Sequence, residues 1–342
     1  MTLDFKILNW NIGGSKFLIR SEPERSEIKG RFNKELAYLL DRHRPHVVTL
    51  QEAVQYGRSL QDQMIDEAGV PGYQHHYFPL IDSDRFSFKS KWNKVKAMGG
   101  WGRDTFFSQG NAFLIRRDVR SFPLWDLSGS RCEDDGNRHF IEQVNLDSGL
   151  YFGDRNTEPR AALVSHFIFN PGERPLDVFA VNVHLTTLLM EREGIPSIDA
   201  DAARIRLGQV EVLLQGIVSR YNLWRQQGYP GHGPKRDGEA CDRHPPVWVL
   251  AGDFNFTPQS QEYQLMQRMN FIDAIPSKGA GTKAKGAGNQ ATLTVDYVFA
   301  GPKFISLDPL IAERDLQDNS VDHTVQISDH YPMFASIPLN IP

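Results

Sequence analysis

Cysteine is scarce: Cys132 and Cys241 are the only two in 342 residues. Two cysteines cannot build a disulfide framework, and neither belongs to a cluster with zinc-site spacing, so a reducing compartment and ordinary thiols are expected. Long apolar runs are also missing. Val247 to Ala251 is among the longest, far short of the roughly 20 residues of a membrane-spanning helix. The opening MTLDFKILNWN lacks a basic flank, an apolar core and a small-residue cleavage site, so no secretory signal is expected and a cytoplasmic location is. Neither charge dominates: 38 Lys and Arg stand against 42 Asp and Glu, a net charge of −4. That argues against a bulk electrostatic binder of nucleic acid, though it leaves room for a local basic track. No solenoid-period repeat and no heptad array is present.

What remains is an ordinary folded composition, 40% hydrophobic and 23% charged. The length alone would allow about two domains, but no linker interrupts the pattern, and one unit over residues 1–342 is expected. Short β-branched segments bounded by Gly, Pro, Asn and Asp read as strands. They are Phe5 to Trp10, His46 to Leu50, Tyr73 to Phe78, Asn111 to Ile115, Ala161 to Phe169, Leu176 to His184, Val247 to Ala251, Thr294 to Phe299 and Phe334 to Ile337. Helical spacing appears over 31–42 (Phe32, Leu36, Leu39, Leu40) and 202–220 (Leu207, Val210, Leu214, Ile217). A third helix is expected after Thr257-Pro258, with Pro in its first turn and Leu265, Met266 and Met269 on its apolar face. Residues 82–110, 226–246 and 277–291 read as loops, the last composed mainly of Gly, Ala and Lys. Many strands with few helices, outside strict βαβ alternation, predict an α/β protein of packed sheets covered by helices.

The polar residues of interest sit where these strands end. They are Asn9 and Asn11 in LNWNIGG, Glu52 in VVTLQEA, His184 in VNVHLTT, Asp253 and Asn255 in LAGDFNFTP, Asp296 in LTVDYVFA, and Asp329-His330 in ISDHYPM. A carboxylate placed directly after buried apolar residues is costly unless solvated, paired or bound to a metal. Four such acids with Asn and His suit a hard cation, Mg²⁺ or Mn²⁺, which prefers oxygen ligands. A histidine beside an acid suits proton transfer or charge stabilisation.

The blocks WN, QE, NVH, GDFN, VDY and SDHYP, in this order from Asn9 to Pro332, resemble the endonuclease/exonuclease/phosphatase superfamily. Its members include pancreatic-type deoxyribonucleases, apurinic endonucleases, neutral sphingomyelinases, inositol polyphosphate 5-phosphatases and deadenylases. The resemblance implies a four-layer α/β sandwich, two central and mostly antiparallel sheets flanked by helices, with a metal site at one edge. It implies Glu52 as the main metal ligand, Asn11 in support of the metal or a phosphate oxygen, and Asp329 as a second candidate ligand. Asp253 would orient or deprotonate the attacking water, Asn255 bind the phosphoryl group, and His330, polarised by Asp296, contact the pentacovalent phosphorus. His184 would lie near the scissile phosphate, with Arg160 in EPRAALVSH and Asn111 in QGNAFLIRR as substrate-binding residues. Apurinic endonucleases carry an acid two positions after the WN asparagine, where this chain has Gly13. The 5-phosphatases carry Trp-Cys-Asp-Arg where this chain has LTVDYVF. Both branches are disfavoured.

One segment departs from a plain scaffold. RFSFKSKWNKVKAMGGWGR, residues 85–103, interleaves Arg85, Lys89, Lys91, Lys94, Lys96 and Arg103 with Phe86, Phe88, Trp92 and Trp101. Cations among stackable rings suit a polyanion whose bases or sugars lie on the rings, a nucleic acid, with Lys89 and Trp92 as substrate contacts. The same mixture suits a phospholipid surface, and a solvated basic loop over packed rings is the plain alternative. Lys278, Lys283 and Lys285 form a second basic stretch before Asp296, and the two stretches are expected to flank the metal edge as a phosphate-binding rim. The expectation is therefore a metal-dependent phosphodiesterase, a nuclease first, with a sphingomyelinase-like phospholipid phosphodiesterase or a phosphomonoesterase as alternatives. A non-catalytic binding module has no chemical need for Glu52, Asp253, Asn255, Asp296 and His330 together. Asp322-His323 repeats the Asp-His dipeptide without the block around it and is expected at the surface.

Overall fold

The computed structural model describes residues 2–14, 17, 22–56, 62–65, 69–82, 107–119, 121–122, 139–146, 160–169, 176–186, 196–219, 246–276, 281–284, 291–301, 319–325 and 327–340. The first half runs β1 (Thr2–Asn11), α1 (Glu22–His43), β2 (Val47–Tyr56), β3 (Asp62–Gln63), β4 (Tyr73–Asp82), β5 (Phe107–Arg116), β6 (Ser121–Phe122), β7 (Ile141–Asn145), β8 (Ala161–Phe169) and β9 (Leu176–His184). There follow α2 (Pro196–Glu211), which continues as a π-helical stretch over Val212–Ser219, β10 (Val247–Asp253), α3 (Gln261–Arg268) and β11 (Ile272–Asp273). The chain closes with β12 (Lys283–Ala284), β13 (Ala291–Leu293), β14 (Asp296–Gly301), β15 (Ser320–Val321) and β16 (Met333–Asn340).

Among the described residues, two seven-stranded sheets form. The first has the order β15-β16-β1-β2-β5-β4 with β3 on β2, and the second β11-β14-β10-β9-β8-β6 with β7 on β8. Only β1–β2 and β9–β10 pair in parallel; the other neighbours are antiparallel, as expected. Three apolar clusters divide the protein into layers. Phe5, Ile7, Val47 and Ile337 of the first sheet meet Val178, Val249 and Val298 of the second between the sheets. Phe32, Leu36 and Leu39 of α1 cover the outer face of the first sheet against Trp10, Val48 and Leu50. Leu213, Leu214 and Ile217 with Met266 of α3 cover the outer face of the second against Val183, Trp248 and Leu250. Helix, sheet, sheet and helix thus make the four layers.

Several elements differ from expectation for identifiable reasons. α1 begins at Glu22, well before residue 31, because its first turns are charged and carry no apolar stripe. The helix expected over 202–220 widens after Glu211 into the π-helical Val212–Ser219. The wider turn lets Leu213, Leu214, Ile217 and Val218 all reach the core. α3 starts at Gln261 rather than at Pro258, because Ser260 caps it by accepting from the Tyr263 amide. Within the expected loop 277–291, Lys283–Ala284 pair with Ala291–Leu293 as a small two-stranded sheet. The loop expected over 82–110 ends in β5, whose start at Phe107 precedes the expected strand. Asp322 and His323 are half-buried rather than exposed, and His323 Nε2 bonds the Gly281 carbonyl at 2.8 Å. The stretch 226–246, apart from Pro246, lies outside the described residues, as do Cys132 and Cys241.

Candidate active site

Alternation along the strands assembles the site. Side chains two apart share a sheet face, so each inward apolar row continues into polar groups at the same end of the sandwich. In the second sheet, Val247, Val249 and Ala251 lead to Asp253, while Val178 and Ala180 lead to Asn182 and His184. Running the other way, Ala300 and Val298 lead back to Asp296. The register then sets these ends abreast, with Asp253 opposite His184 on one side and Asp296 on the other. In the first sheet Phe5 and Ile7 lead to Asn9 and Asn11, and Val47 leads to Thr49 and Gln51.

Glu52 breaks the alternation. Its even-numbered neighbours Val48 and Leu50 face α1, so a regular strand would point Glu52 away from the other sheet. A register shift between Leu50 and Ala53 and a left-handed backbone at Glu52 (φ 54°) turn it instead toward Asn11, whose amide Nδ2 donates to Glu52 Oε1 at 3.3 Å. Asn255 has the same left-handed conformation (φ 53°). Such angles are uncommon for residues other than glycine and collect at functional positions. Gly14 permits the turn after β1 to lie against the bulge, since a Cβ there would run into the Glu52 carbonyl oxygen. Gly13 (φ +64°) occupies the position of the acid found in the repair branch; a Cβ there would come within 3.1 Å of Ser328 Oγ and 3.6 Å of Asp329 Oδ1. Ser328 is already committed, donating to the Asn11 carbonyl at 2.8 Å.

Asp253 is the centre of the cluster. It is 1% exposed. Its Oδ2 accepts from Asn11 Nδ2 at 2.9 Å and faces His330 Nε2 at 3.6 Å and His184 Nε2 at 3.9 Å. Its Oδ1 accepts from the Asn255 backbone amide at 3.0 Å. Asn255 in turn donates from Nδ2 to the Leu185 carbonyl at 3.1 Å, fixing the segment just after His184. Burial, reinforced by Asp296, raises the Asp253 carboxyl to about 6, against the opposing pull of His330, Lys283 and Asn11. His330 Nδ1 lies 2.8 and 3.0 Å from the two oxygens of Asp296. Burial alone would lower the imidazole, but Asp296 and Asp253 outweigh it and raise its pKa, so the protonated ring is favoured. Asp329 and Glu52 are only half-buried, and Lys283 Nζ stands 4.0 Å from Asp329 Oδ2.

Asn11, Glu52, His184, Asp253, Asn255, Asp296, Asp329 and His330 are thus linked through the contacts above at one end of the sandwich. Arg160, directly before β8, is 5% exposed and gives its carbonyl to the Leu146 amide. Asn111 is fully enclosed; its Nδ2 donates to the Ala161 carbonyl at 3.3 Å, joining β5 to β8, while its Oδ1 is buried without a hydrogen-bond partner among the described residues. Lys89 and Trp92 lie outside the described residues.

Apart from Asn9, sequence reasoning passed over the groups that hold this end together. Gln51 Nε2 donates to Asn9 Oδ1 at 2.9 Å and to Asn182 Oδ1 at 2.8 Å. Asn182 Nδ2 returns to the carbonyls of Leu50 (3.1 Å) and Ala112 (2.8 Å). All three amides are 0% exposed. Thr282, also 0% exposed, accepts the Val295 and Asp296 amides on its hydroxyl at 3.1 and 3.0 Å. Gln209 of α2 brackets Thr186, accepting its amide at 3.0 Å and donating to its hydroxyl at 2.9 Å. The signal for Gln51 and Asn182 was their strand parity, which places an amide where an apolar residue should be.

An α/β sandwich whose two sheets deliver acids, amides and a carboxylate-backed histidine to one edge defines a hydrolase of the metal-assisted phosphoesterase type. The chain belongs to the endonuclease/exonuclease/phosphatase family, whose model matches residues 8–330. It is accordingly a metal-dependent hydrolase acting on phosphate ester bonds. No curated protein matches its sequence. A family protein from Bacteroides thetaiotaomicron is similar in structure, with TM-score 0.55 and 12% identity over 100% of both chains. A Beutenbergia cavernae endonuclease/exonuclease/phosphatase shows TM-score 0.54 and 16% identity over 98% of this chain and 72% of its own. A humanized D. rerio TDP2 shows TM-score 0.52 and 13% identity over 98% of each. These likenesses concern the fold.

The residues present fit a divalent cation. Glu52, Asp253, Asp329 and the Asn11 amide oxygen are hard donors, and Asp253, Asp296 and His330 offer ligand atoms within 4.8 Å of one another. His330 and Asp296 are engaged with each other, which leaves the half-buried carboxylates as the accessible part of the set. Among the described residues no helix is long and apolar enough to cross a membrane.

Proposed function

We propose that this chain, acting as one unit, is a phosphodiesterase that uses Mg²⁺ or Mn²⁺ and hydrolyses its substrate by in-line attack of water, with nucleic acid as the substrate class. The observation that carries the reading is Asp253, buried and 3.6 Å from an imidazole whose other nitrogen is held by Asp296. A carboxyl raised to about 6 is suited to accept a proton from water near neutrality. His330, its imidazole pKa raised by Asp296 and Asp253 and its ring fixed by Asp296, donates from Nε2 to a phosphoryl oxygen as negative charge accumulates there. His184, whose Nε2 faces the same Asp253 oxygen as His330, and Asn255 contact the phosphoryl group, and Asn11 holds Glu52 and Asp253 at their spacing. Arg160 adds a positive charge near the substrate, and Asn111 fixes the strand beside it. Glu52, with Asp329, would hold the cation. Once bound, the cation neutralises phosphate charge and stabilises the leaving oxygen. No covalent enzyme intermediate is needed.

The preference for nucleic acid rests on the cations and rings of residues 85–103, including Lys89 and Trp92. The test is hydrolysis of bis-p-nitrophenyl phosphate, single-stranded DNA and RNA, sphingomyelin and a monoester panel under Mg²⁺ and Mn²⁺. Asp253→Ala and His330→Ala should each lower diester turnover by about 10²-fold or more while the protein remains folded. Losses under tenfold overturn the catalytic assignment. Phosphocholine release or monoester turnover above nuclease activity replaces the substrate class.

A further inference from the structure

We propose that Lys283 is a substrate-binding cation of this site, one that balances Asp329 when no metal is bound and turns to the substrate phosphate when one is. The inference rests on the phosphodiesterase reading and adds to it a residue outside the acid–histidine set.

The backbone makes Lys283 part of the site rather than of a free loop. Its neighbour Thr282 is tied on every side. The Thr282 amide donates to the Leu293 carbonyl at 3.0 Å, its carbonyl accepts the Tyr331 amide at 2.9 Å, and its hydroxyl accepts the amides of Val295 and Asp296. Lys283 itself forms an antiparallel bridge with His330. It is therefore held between the two segments that deliver Asp296 and His330.

Its side chain is only 16% exposed, and Nζ lies 4.0 Å from Asp329 Oδ2, itself 24% exposed. That separation is wide for a committed ion pair, in which nitrogen and oxygen close to about 2.8 Å. Arg206 and Glu262, between α2 and α3, show the committed kind: 3.1 Å apart, with both side chains at most 4% exposed. Lys283 is instead a loosely held ammonium beside Asp329, close enough to act electrostatically on both Asp253 and His330. An ammonium is a point charge with three donors and can face a carboxylate and a phosphoryl oxygen at once. When Asp329 turns its charge to a cation, the attraction holding Lys283 weakens, and a phosphate dianion or diester oxygen becomes the better partner.

The two roles have opposite signs. A positive charge beside the ligands opposes metal binding, whereas the same charge favours phosphate. Removing it should tighten one and weaken the other, and a residue that merely held β12 in place would not separate the two. The full-length protein and its Lys283→Met and Lys283→Arg variants should be titrated with Mn²⁺ alone by calorimetry. Each should then be assayed on bis-p-nitrophenyl phosphate at saturating Mn²⁺. Lys283→Met should bind Mn²⁺ about three- to tenfold more tightly, yet lose about 10- to 100-fold in kcat/KM. Lys283→Arg should keep wild-type Mn²⁺ affinity within about twofold and recover most of the turnover. Unchanged Mn²⁺ affinity with unchanged turnover overturns the proposal, and so does weaker Mn²⁺ binding accompanied by a lower melting temperature. Wild-type turnover and its collapse in His330→Ala, run alongside, judge the phosphodiesterase reading separately. If both hold while Lys283→Met behaves as wild type, only the role of Lys283 falls.

Discussion

Asn11→Asp would change two atoms' chemistry at almost constant shape, and the consequences can be worked from the distances. The Asn11 amide nitrogen lies 3.3 Å from Glu52 Oε1 and 2.9 Å from Asp253 Oδ2, donating to both. The substitution removes two hydrogen bonds to charged acceptors, each contributing about 1.5–3 kcal/mol. It also puts oxygen against oxygen. A full negative charge 2.9 Å from Asp253 would cost about 6 kcal/mol at an effective dielectric of 20. The site avoids most of that by taking up a proton. Asp253 already titrates near 6, so protonating it at pH 7 costs only about 1.4 kcal/mol. The two lost hydrogen bonds and the proton uptake together come to about 4–7 kcal/mol in the metal-free protein, a drop of about 10 °C in melting temperature for a chain of this size. A divalent cation, attracted to the added carboxylate, should return much of it. The assay is thermal melting in EDTA against Mg²⁺ or Mn²⁺, and the metal-induced shift should be much larger in Asn11→Asp than in wild type. Equal melting temperatures in EDTA would refute the placement of Asn11 between the two carboxylates.

Gly14→Ala should abolish metal-dependent turnover and cost at least about 2 kcal/mol by chemical denaturation, because its Cβ cannot coexist with the Glu52 carbonyl and the bulge must shift; wild-type kinetics would sink that account. Burial, with a smaller contribution from His76, lowers His75 from 6.5 to about 4. A depressed histidine stays neutral in the fold while the unfolded chain takes up a proton, so its stability contribution is complete above about 6.5 and is lost as pH falls toward 4. For His75 the loss amounts to about 3 kcal/mol. Melting temperatures should fall between pH 7 and 4.5, less steeply in His75→Leu, and identical slopes would contradict the burial argument.

The strands that carry catalytic groups were legible because each is short, β-branched and ends in a polar residue. Ala161–Phe169 and Leu176–His184 match residue for residue. β7 escaped notice because IEQVN is half-exposed and mixed in polarity. The six sequence blocks converge because register sets Asp253 beside both His184 and Asp296, and register between distant strands is not written locally. Strand parity predicts the wrong face for Glu52, since only the bulge and its left-handed backbone correct it. The basic stretch before Asp296 pointed to a rim at the metal edge, but not to the strand pairing that holds Lys283 there, because a composition of Gly, Ala and Lys reads as loop whatever it is tied to.

Gln51 belongs to one sheet and Asn182 to the other, and their enclosed amides join the two layers directly beneath Glu52 and His184. Most of the seam between the sheets is greasy and directionless, and grease alone tolerates sliding. This lock does not: a shift of even one ångström would strip several buried donors at once. Whatever reshapes the protein's preference among substrates must therefore work around the rim, because the reacting centre is cast as one piece with the floor below it.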